Sequence, residues 1–376
     1  MKLKTIYLNK WFFNSSFIVL NLINLFFRYV YYTENLDIKF FYVTISNILI
    51  VTFIAIFVLL KVFKVGLREK DIIPFLIIVS IFFLSIIFQN FQIDYFILLF
   101  WSLIYLVPNK DNELLVGLIF TKVIFVITIL LLNRLGYFMD VENIKYDTNQ
   151  LVGHSYGFIH ANSLGVMILS IIIGLAILLK SKWLNILLLF IISLLLNNLT
   201  QSRTSFFIAF AVVITFVFKN YLSSKIISKK LMSCGLLAIF SFSILLPYIY
   251  KYNLIIINKM NSYTNNRIYL GNYYIQTYGF NFFPKNIQRI QIFRLWDHLD
   301  YYIDNFYLSY LLSNGVIISI VLMILIIYIT SKFKFNAHNG ILLLLSFMIL
   351  FLENFSLNVF LFTPFIYGLI SEDLGS

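Results

Sequence analysis

The chain has 376 residues, of which 61% are hydrophobic and 12% charged, whereas soluble domains run near a quarter charged. So few charges cannot cover a soluble protein of this length, and the composition excludes one. The net charge of +12 would suit a nucleic-acid partner, but the way it is distributed makes it a topology signal and leaves no support for nucleic-acid binding.

A transmembrane helix needs roughly 20 apolar residues, with a range of about 17–25. Runs of this kind fall at residues 11–31, 41–60, 72–89, 94–108, 114–132, 159–179, 183–199, 204–218, 231–250, 305–329, 340–352 and 355–370. The expectation is an all-α polytopic membrane protein of about twelve transmembrane helices, forming a single transmembrane domain over residues 1–376. The first run follows Lys2, Lys4 and Lys10 with no small-residue cleavage site, so it reads as a retained span rather than a signal peptide. The single cysteine, Cys234, lies in an apolar run and reads as a small core residue.

Lysines and arginines set the orientation. Lys61, Lys64, Arg68 and Lys70 form one cluster between spans, Lys180 and Lys182 a second, Lys219, Lys225, Lys229 and Lys230 a third, and Lys332 and Lys334 a fourth. If the spans alternate, all four clusters share a side with the N-terminus. Excess Lys and Arg in short loops marks the cytoplasm, so both termini are expected there; Lys outnumbering Arg, with abundant Asn and Ile, hints at a bacterial chain.

The other side carries the segments 133–158 and 251–304, too polar and too long for simple connectors. The longer one, between the ninth and tenth spans, is rich in Tyr, Phe, Trp and Asn. That composition is not disordered and is expected to form an ordered outer cap with short amphipathic helices on the membrane surface. No internal repeat supports an inverted-repeat transporter.

Four polar clusters sit at this outer boundary. The first is Gly157-Phe158-Ile159-His160-Ala161-Asn162-Ser163-Leu164-Gly165, where His160 and Asn162 read equally as cap residues or ligands. The second is Thr200-Gln201-Ser202-Arg203-Thr204, in which an arginine among hydroxyls reads as an anion site or as a snorkelling side chain. The third is Asn265-Asn266-Arg267. The fourth runs from Arg294 through Trp296, Asp297, His298 and Asp300 to Asp304-Asn305, then Tyr307-Leu308 and Gly315.

Together these segments resemble the bacterial O-antigen and capsular polysaccharide polymerase family (Wzy type), related to the O-antigen ligases. In that family a Gly-Phe-x-His-Pro-Asn-x-Leu-Gly stretch opens a middle helix, and a Thr-x-Ser-Arg segment follows one hairpin later. A long outer loop then carries an Arg, and an Asp-Asn or His-Asn pair with Tyr-Leu and a downstream Gly starts the next helix. The matching residues here are Gly157 to Gly165, Thr200 to Thr204, Arg267, and Asp304 to Gly315, with Ala161 standing where proline is usual. The resemblance covers the second half of the chain. It implies a GT-C-like membrane glycosyltransferase that transfers glycan repeat units from a polyprenyl-pyrophosphate lipid onto an acceptor glycan.

In such a reaction an acceptor hydroxyl attacks the anomeric carbon and the lipid pyrophosphate leaves. Guanidinium forks bind phosphate oxygens bidentately, which selects Arg203 and Arg267, with Arg294 as a third. His160, Asn162 and Glu353 are expected to line the same cavity. Asp304, at the position where ligase relatives carry His, and His298 are the rival bases; Asp304 reads equally as the cap of the following helix. Asp297, His298 and Asp300 do not form a recognised metal spacing, so neither metal nor cofactor is expected. Lys122, a charge within a span, is functional by default. The expected partners are polyprenyl-pyrophosphate-linked oligosaccharide, membrane lipid and other polysaccharide-assembly membrane proteins. The competing class is a lipid-linked oligosaccharide flippase, which predicts broken helices; a ligase of the same superfamily would share the site.

Overall fold

The computed structural model describes residues 2–33, 38–39, 41–46, 48–49, 52, 112–140, 142–145, 150–264, 266–285, 290–294, 297–301, 305–332 and 335–353. The expected spans at 72–89, 94–108 and 355–370, most of that at 41–60, and Asp304 lie outside these residues.

Within them the chain is mostly helical: α1 (Lys2–Tyr29), α2 (Asn112–Arg134), α3 (Ala161–Leu178), α4 (Trp183–Thr200), α5 (Arg203–Val217), the short α6 (Lys219–Ser223), α7 (Lys229–Ile249), α8 (Ile255–Tyr263), α9 (Arg267–Tyr278), α10 (Phe306–Lys332) and α11 (Ala337–Leu352). Among the described residues, five helices are long and apolar enough to cross a membrane: Leu115–Arg134, Ala161–Leu178, Trp183–Thr200, Lys229–Tyr252 and Phe306–Tyr328. Arg203–Val217 and Ala337–Phe351 are shorter apolar helices. This is the make-up of an all-α membrane protein. Two antiparallel hairpins, which hydropathy did not predict, decorate it: β1 (Glu142–Lys145) with β2 (Gln150–His154), and β3 (Ile290–Arg294) with β4 (Asp297–Tyr301).

A helix apolar all round has no polar face for water and must be surrounded. In α3 that is the case: 83% of it is buried, packed by α2, α4 and α5. By contrast α4 turns Leu188, Phe190 and Leu195 outward, a surface suited to lipid. On α7, Cys234 is also exposed; the expectation of a core cysteine is corrected, because α7 buries only the stripe of Met232, Leu236, Ser243 and Pro247.

One end of the bundle collects the described lysine-rich segments, 180–182 and 219–230. Lys219 Nζ donates to the carbonyls of Ala176 at 2.8 Å, Ile177 at 2.7 Å and Leu179 at 2.6 Å. These belong to the last turn of α3, which has no helical N–H to offer them. Nearby, Ile226 bridges Asn336, and the Ala337 N–H donates to the Lys225 carbonyl at 2.7 Å, so the loops before α7 and α11 are joined.

At the opposite end the segment after α7 folds back into the bundle. Pro247 lies inside α7 and has no N–H for the Ser243 carbonyl four residues earlier. Asn305 fills that vacancy, its Nδ2 donating to Ser243 O at 2.7 Å while its Oδ1 caps α10 by accepting from the Leu308 N–H at 3.1 Å. The Pro247 carbonyl accepts from Asn272 Nδ2 of α9 at 2.8 Å. Gly271 permits this approach, since a Cβ there would stand 2.9 Å from Leu308 Cδ2 and 3.0 Å from Pro247 Cβ. Thus α8 is largely exposed, as expected of a surface helix, but α9 buries Ile268, Tyr274 and Ile275 in the junction of α7 and α10.

A second break lies in α10 at Gly315, whose φ of 81° and ψ of 164° suit glycine alone. The backbone of residues 281–285 occupies the gap. Val316 N–H donates to Asn281 O at 2.8 Å, and Lys285 N–H donates to Ser313 O at 2.9 Å.

Candidate functional site

The first turn of α3 is the hub of the polar end, and the residues from 157 to 165 each have a distinct task there. Gly157, at φ +88°, turns the chain against Ile129, Asn133 and Phe138, and Phe158 is fully buried behind it. His160 is the N-cap: its Nδ1 accepts from the Asn162 N–H at 3.1 Å. Ala161 occupies the first helical position, where proline is favoured but not required, and the turn forms with alanine there. Gly165 lets the α4–α5 turn close in, since a Cβ there would stand 3.1 Å from Ser202 Cβ and 3.3 Å from Thr200 Oγ1.

That turn is held by its own hydroxyls. Thr200 Oγ1 donates to Leu196 O at 2.8 Å and accepts from the Ser202 N–H at 3.2 Å; Ser202 Oγ donates to Ser205 Oγ at 3.1 Å. Thr200, Ser202 and Ser205 are all buried. Thr200 and Ser202 therefore spend their hydroxyls on the fold, while Gln201 and Arg203 are exposed. Arg203 starts α5 and pairs with no carboxylate among the described residues. Ser202, in the capping position, makes no side-chain bond to the first-turn N–H groups.

From the same α3 turn, Asn162 Nδ2 points to Glu353, 3.4 Å from Oε1 and 3.3 Å from Oε2. Glu353 is the C-cap of α11 and forms an ion pair with Arg267, whose Nη1 donates to Oε1 at 2.8 Å. The carboxylate is nearly buried and the guanidinium mostly so, at 4% and 17% side-chain exposure. Arg267 is placed by a rigid turn: Asn266 adopts a left-handed φ of 62°, its Oδ1 accepts from Asn261 Nδ2 at 2.9 Å, and Asn261 Oδ1 accepts from the Tyr269 N–H at 2.8 Å. Three elements distant in sequence therefore meet here, and the positive end of the short α9 carries its arginine into the meeting point.

The other expected site residues stand apart from this cluster or outside the description. Arg294 pairs in register with Asp297, and His298 with Phe293, across the β3–β4 hairpin; their side chains lie outside the described residues, as does Asp304. The cap expected of Asp304 is supplied by Asn305. Lys122 is buried and donates to Ser170 Oγ of α3 at 3.3 Å, which places it between α2 and α3 and not against lipid.

A pair that sequence reading missed completes this end. His154 Nδ1 lies 2.7 Å from Asp140 Oδ2, and the hairpin bearing His154 rests on α4. Two polar residues fourteen positions apart in a loop form no recognisable motif; the only signal was an acid and a histidine in the same outer segment. No protein-family model, curated protein or solved structure matches the chain.

Proposed function

We propose that the chain is a polysaccharide polymerase of the Wzy type in a bacterial inner membrane. It transfers glycan repeat units from a polyprenyl-pyrophosphate lipid onto an acceptor glycan, without a metal or cofactor, at the outer face. The observation that carries the reading is the convergence of His160, Asn162, Arg267 and Glu353, drawn from two motif segments and the end of α11, at the end of the bundle opposite the lysine-rich loops. Arg203, exposed at the start of α5 on the adjoining turn, adds a cation beside helix N–H groups that Ser202 does not cap, a combination that suits phosphate oxygens. Arg267 shares its guanidinium with Glu353, so the leaving pyrophosphate would compete with that carboxylate for the fork.

A second reading, a lipid-linked oligosaccharide flippase, is favoured by the interruptions at Pro247 in α7 and Gly315 in α10, since transporters use broken helices. Deleting the gene separates the two. The polymerase reading expects surface polysaccharide to collapse to single repeat units. Accumulation of lipid-linked repeat units on the cytoplasmic leaflet, with none exported, would overturn it in favour of the flippase. Retention of full-length polymer still lipid-linked would instead point to the ligase.

A further inference from the structure

We propose that α8 moors the bundle in the headgroup layer of the adjoining leaflet, with Ile256, Met260 and Tyr263 turned to the acyl chains, and so holds Arg267 at the depth of lipid phosphates. The role given to Arg267 rests on the transferase reading above; the mooring does not.

The preceding helix sets the membrane boundary. Lys229–Tyr252 runs for 24 residues, about 36 Å at 1.5 Å per residue, which already exceeds a hydrocarbon core of about 30 Å. It exposes Phe242, Leu245 and Tyr248, a surface suited to lipid. At its end Lys251 Nζ lies 4.1 Å from the centre of the Tyr248 ring and 5.0 Å from that of Tyr252. Tyrosines with a lysine between them are what a headgroup boundary favours. Only Asn253 and Leu254 separate Tyr252 from α8, so the chain can carry the start of α8 no more than about 10 Å from that boundary.

The helix is divided lengthwise to match. Ile257 and Asn261 are buried against the protein. Ile256, Met260 and Tyr263 recur at i, i+4 and i+7, which sets them on one flank; all three are exposed, Ile256 at 74% and Tyr263 at 82%. Asn258 and Ser262 share the other flank and are also exposed. Exposed Ile255 and Lys259 run along the outward edge between the flanks, where a lysine can rest its stem on apolar surface and send its charge to the headgroups. Residues 250–266 hold two lysines, Lys251 and Lys259, and no acid, a balance that anionic headgroups attract. A leaflet surface answers both flanks at once, acyl chains on one side and water on the other. The end of α8 carries this depth to Arg267. Asn266 N–H donates to Asn261 O at 2.9 Å, and Arg267 N–H donates to Thr264 O at 3.2 Å; the Asn261 side chain then grips Asn266 and the Tyr269 N–H. Arg267 is thus one closed turn beyond α8, and the pyrophosphate of a lipid-linked donor lies at that level, beside the headgroups.

The test places full-length Cys234→Ser protein in nanodiscs of phosphatidylethanolamine and phosphatidylglycerol. Nitroxide labels are attached to Ile256→Cys, Tyr263→Cys, Asn258→Cys and Ser262→Cys in turn. Power-saturation spectroscopy then compares collision with oxygen, which concentrates among acyl chains, and with a water-soluble nickel chelate. The oxygen-to-nickel ratio is expected to be about fivefold higher at positions 256 and 263 than at 258 and 262. Four labels that all favour nickel would put α8 in water, and labels at 256 and 263 shielded from both reagents would put that flank under protein; either result overturns the mooring. The hold on Arg267 is read with lipid-linked oligosaccharide extracted from the deletion strain. The double variant Ile256→Asn, Tyr263→Asn should unfold at the wild-type temperature yet lose about tenfold in kcat/KM for the donor, whereas Ile256→Leu, Tyr263→Trp should retain it. An undiminished kcat/KM for the asparagine variant would overturn the hold. If wild-type protein neither polymerises nor releases polyprenyl pyrophosphate, the transferase reading fails, and the oxygen-to-nickel pattern still decides the mooring.

Discussion

Replacing Asn305 tests the structural role that its two hydrogen bonds give it. Asn305 is 8% exposed and uses both ends of its amide, donating to Ser243 O at 2.7 Å and accepting from Leu308 N–H at 3.1 Å. Asn305→Ala removes the cap of α10, worth about 1 kcal/mol. It also strands the Ser243 carbonyl that Pro247 cannot serve, at about 1–3 kcal/mol for a buried unpaired group. The expected loss is therefore about 2–4 kcal/mol, read by denaturant titration of the purified protein in detergent. Asn305→Asp keeps the cap acceptor but sets a carboxylate oxygen against a carbonyl, so it should be no milder. Pro247→Ala restores an N–H to Ser243 and should recover about 1–2 kcal/mol in the Asn305→Ala background while gaining little alone. A stability change for Asn305→Ala below about 0.5 kcal/mol, or a double variant that is strictly additive, would refute the reasoning.

Two further outcomes are expected. Because Arg267 and Glu353 form a largely buried pair at 2.8 Å, Arg267→Ala should destabilise by about 3–5 kcal/mol; Arg267→Lys should recover most of that stability but little polymerisation, since lysine keeps the charge and loses the fork. Stability and polymer assays run side by side on the same preparations check this, and a fully active lysine variant would reduce Arg267 to a partner for Glu353. In a Cys234→Ser background, a cysteine at exposed Tyr137 should react with an impermeant thiol reagent in intact cells, and one at exposed Ile226 should not; the reverse labelling would invert the proposed orientation.

The helices were legible because each is a run of apolar side chains long enough to act as a unit, and α3 could be picked out by having no polar face. What joins them was not. Asn162 and Glu353 lie 191 positions apart, and neither sequence neighbourhood says that one seeks the other. The Thr200–Thr204 segment hid its structural side in a different way: hydroxyls beside an arginine look like ligands, whereas a tight turn between two helices also uses those of Thr200 and Ser202 for its own groups. Asp140 and His154 were hidden because β1 and β2 are short and polar, with no alternating apolar pattern to announce a hairpin. Asn305 stood out in the sequence only through a resemblance, whereas its physical reason lies at Pro247, fifty-eight residues earlier in a different helix.

The same contacts bear on the choice between transferase and flippase. Broken helices in transporters leave half-helix ends and bare carbonyls facing a substrate path, so that ligand and protein compete for them. Here several of the groups freed at each break are taken up by the protein itself. Asn305 satisfies Ser243, Asn272 satisfies the Pro247 carbonyl, and residues 281–285 pair with Ser313, Val316 and Ile317 around Gly315. The breaks act as sockets that seat the segment following α7, and through α9 they fix Arg267 against Glu353. Moving α7 or α10 as a gate would expose several of these groups at once inside an apolar bundle, where each unpaired group costs a few kcal/mol. Under the proposed reading, a fixed socket that orients an arginine would suit a catalyst that must hold a leaving pyrophosphate in one place better than a carrier that must open on both sides.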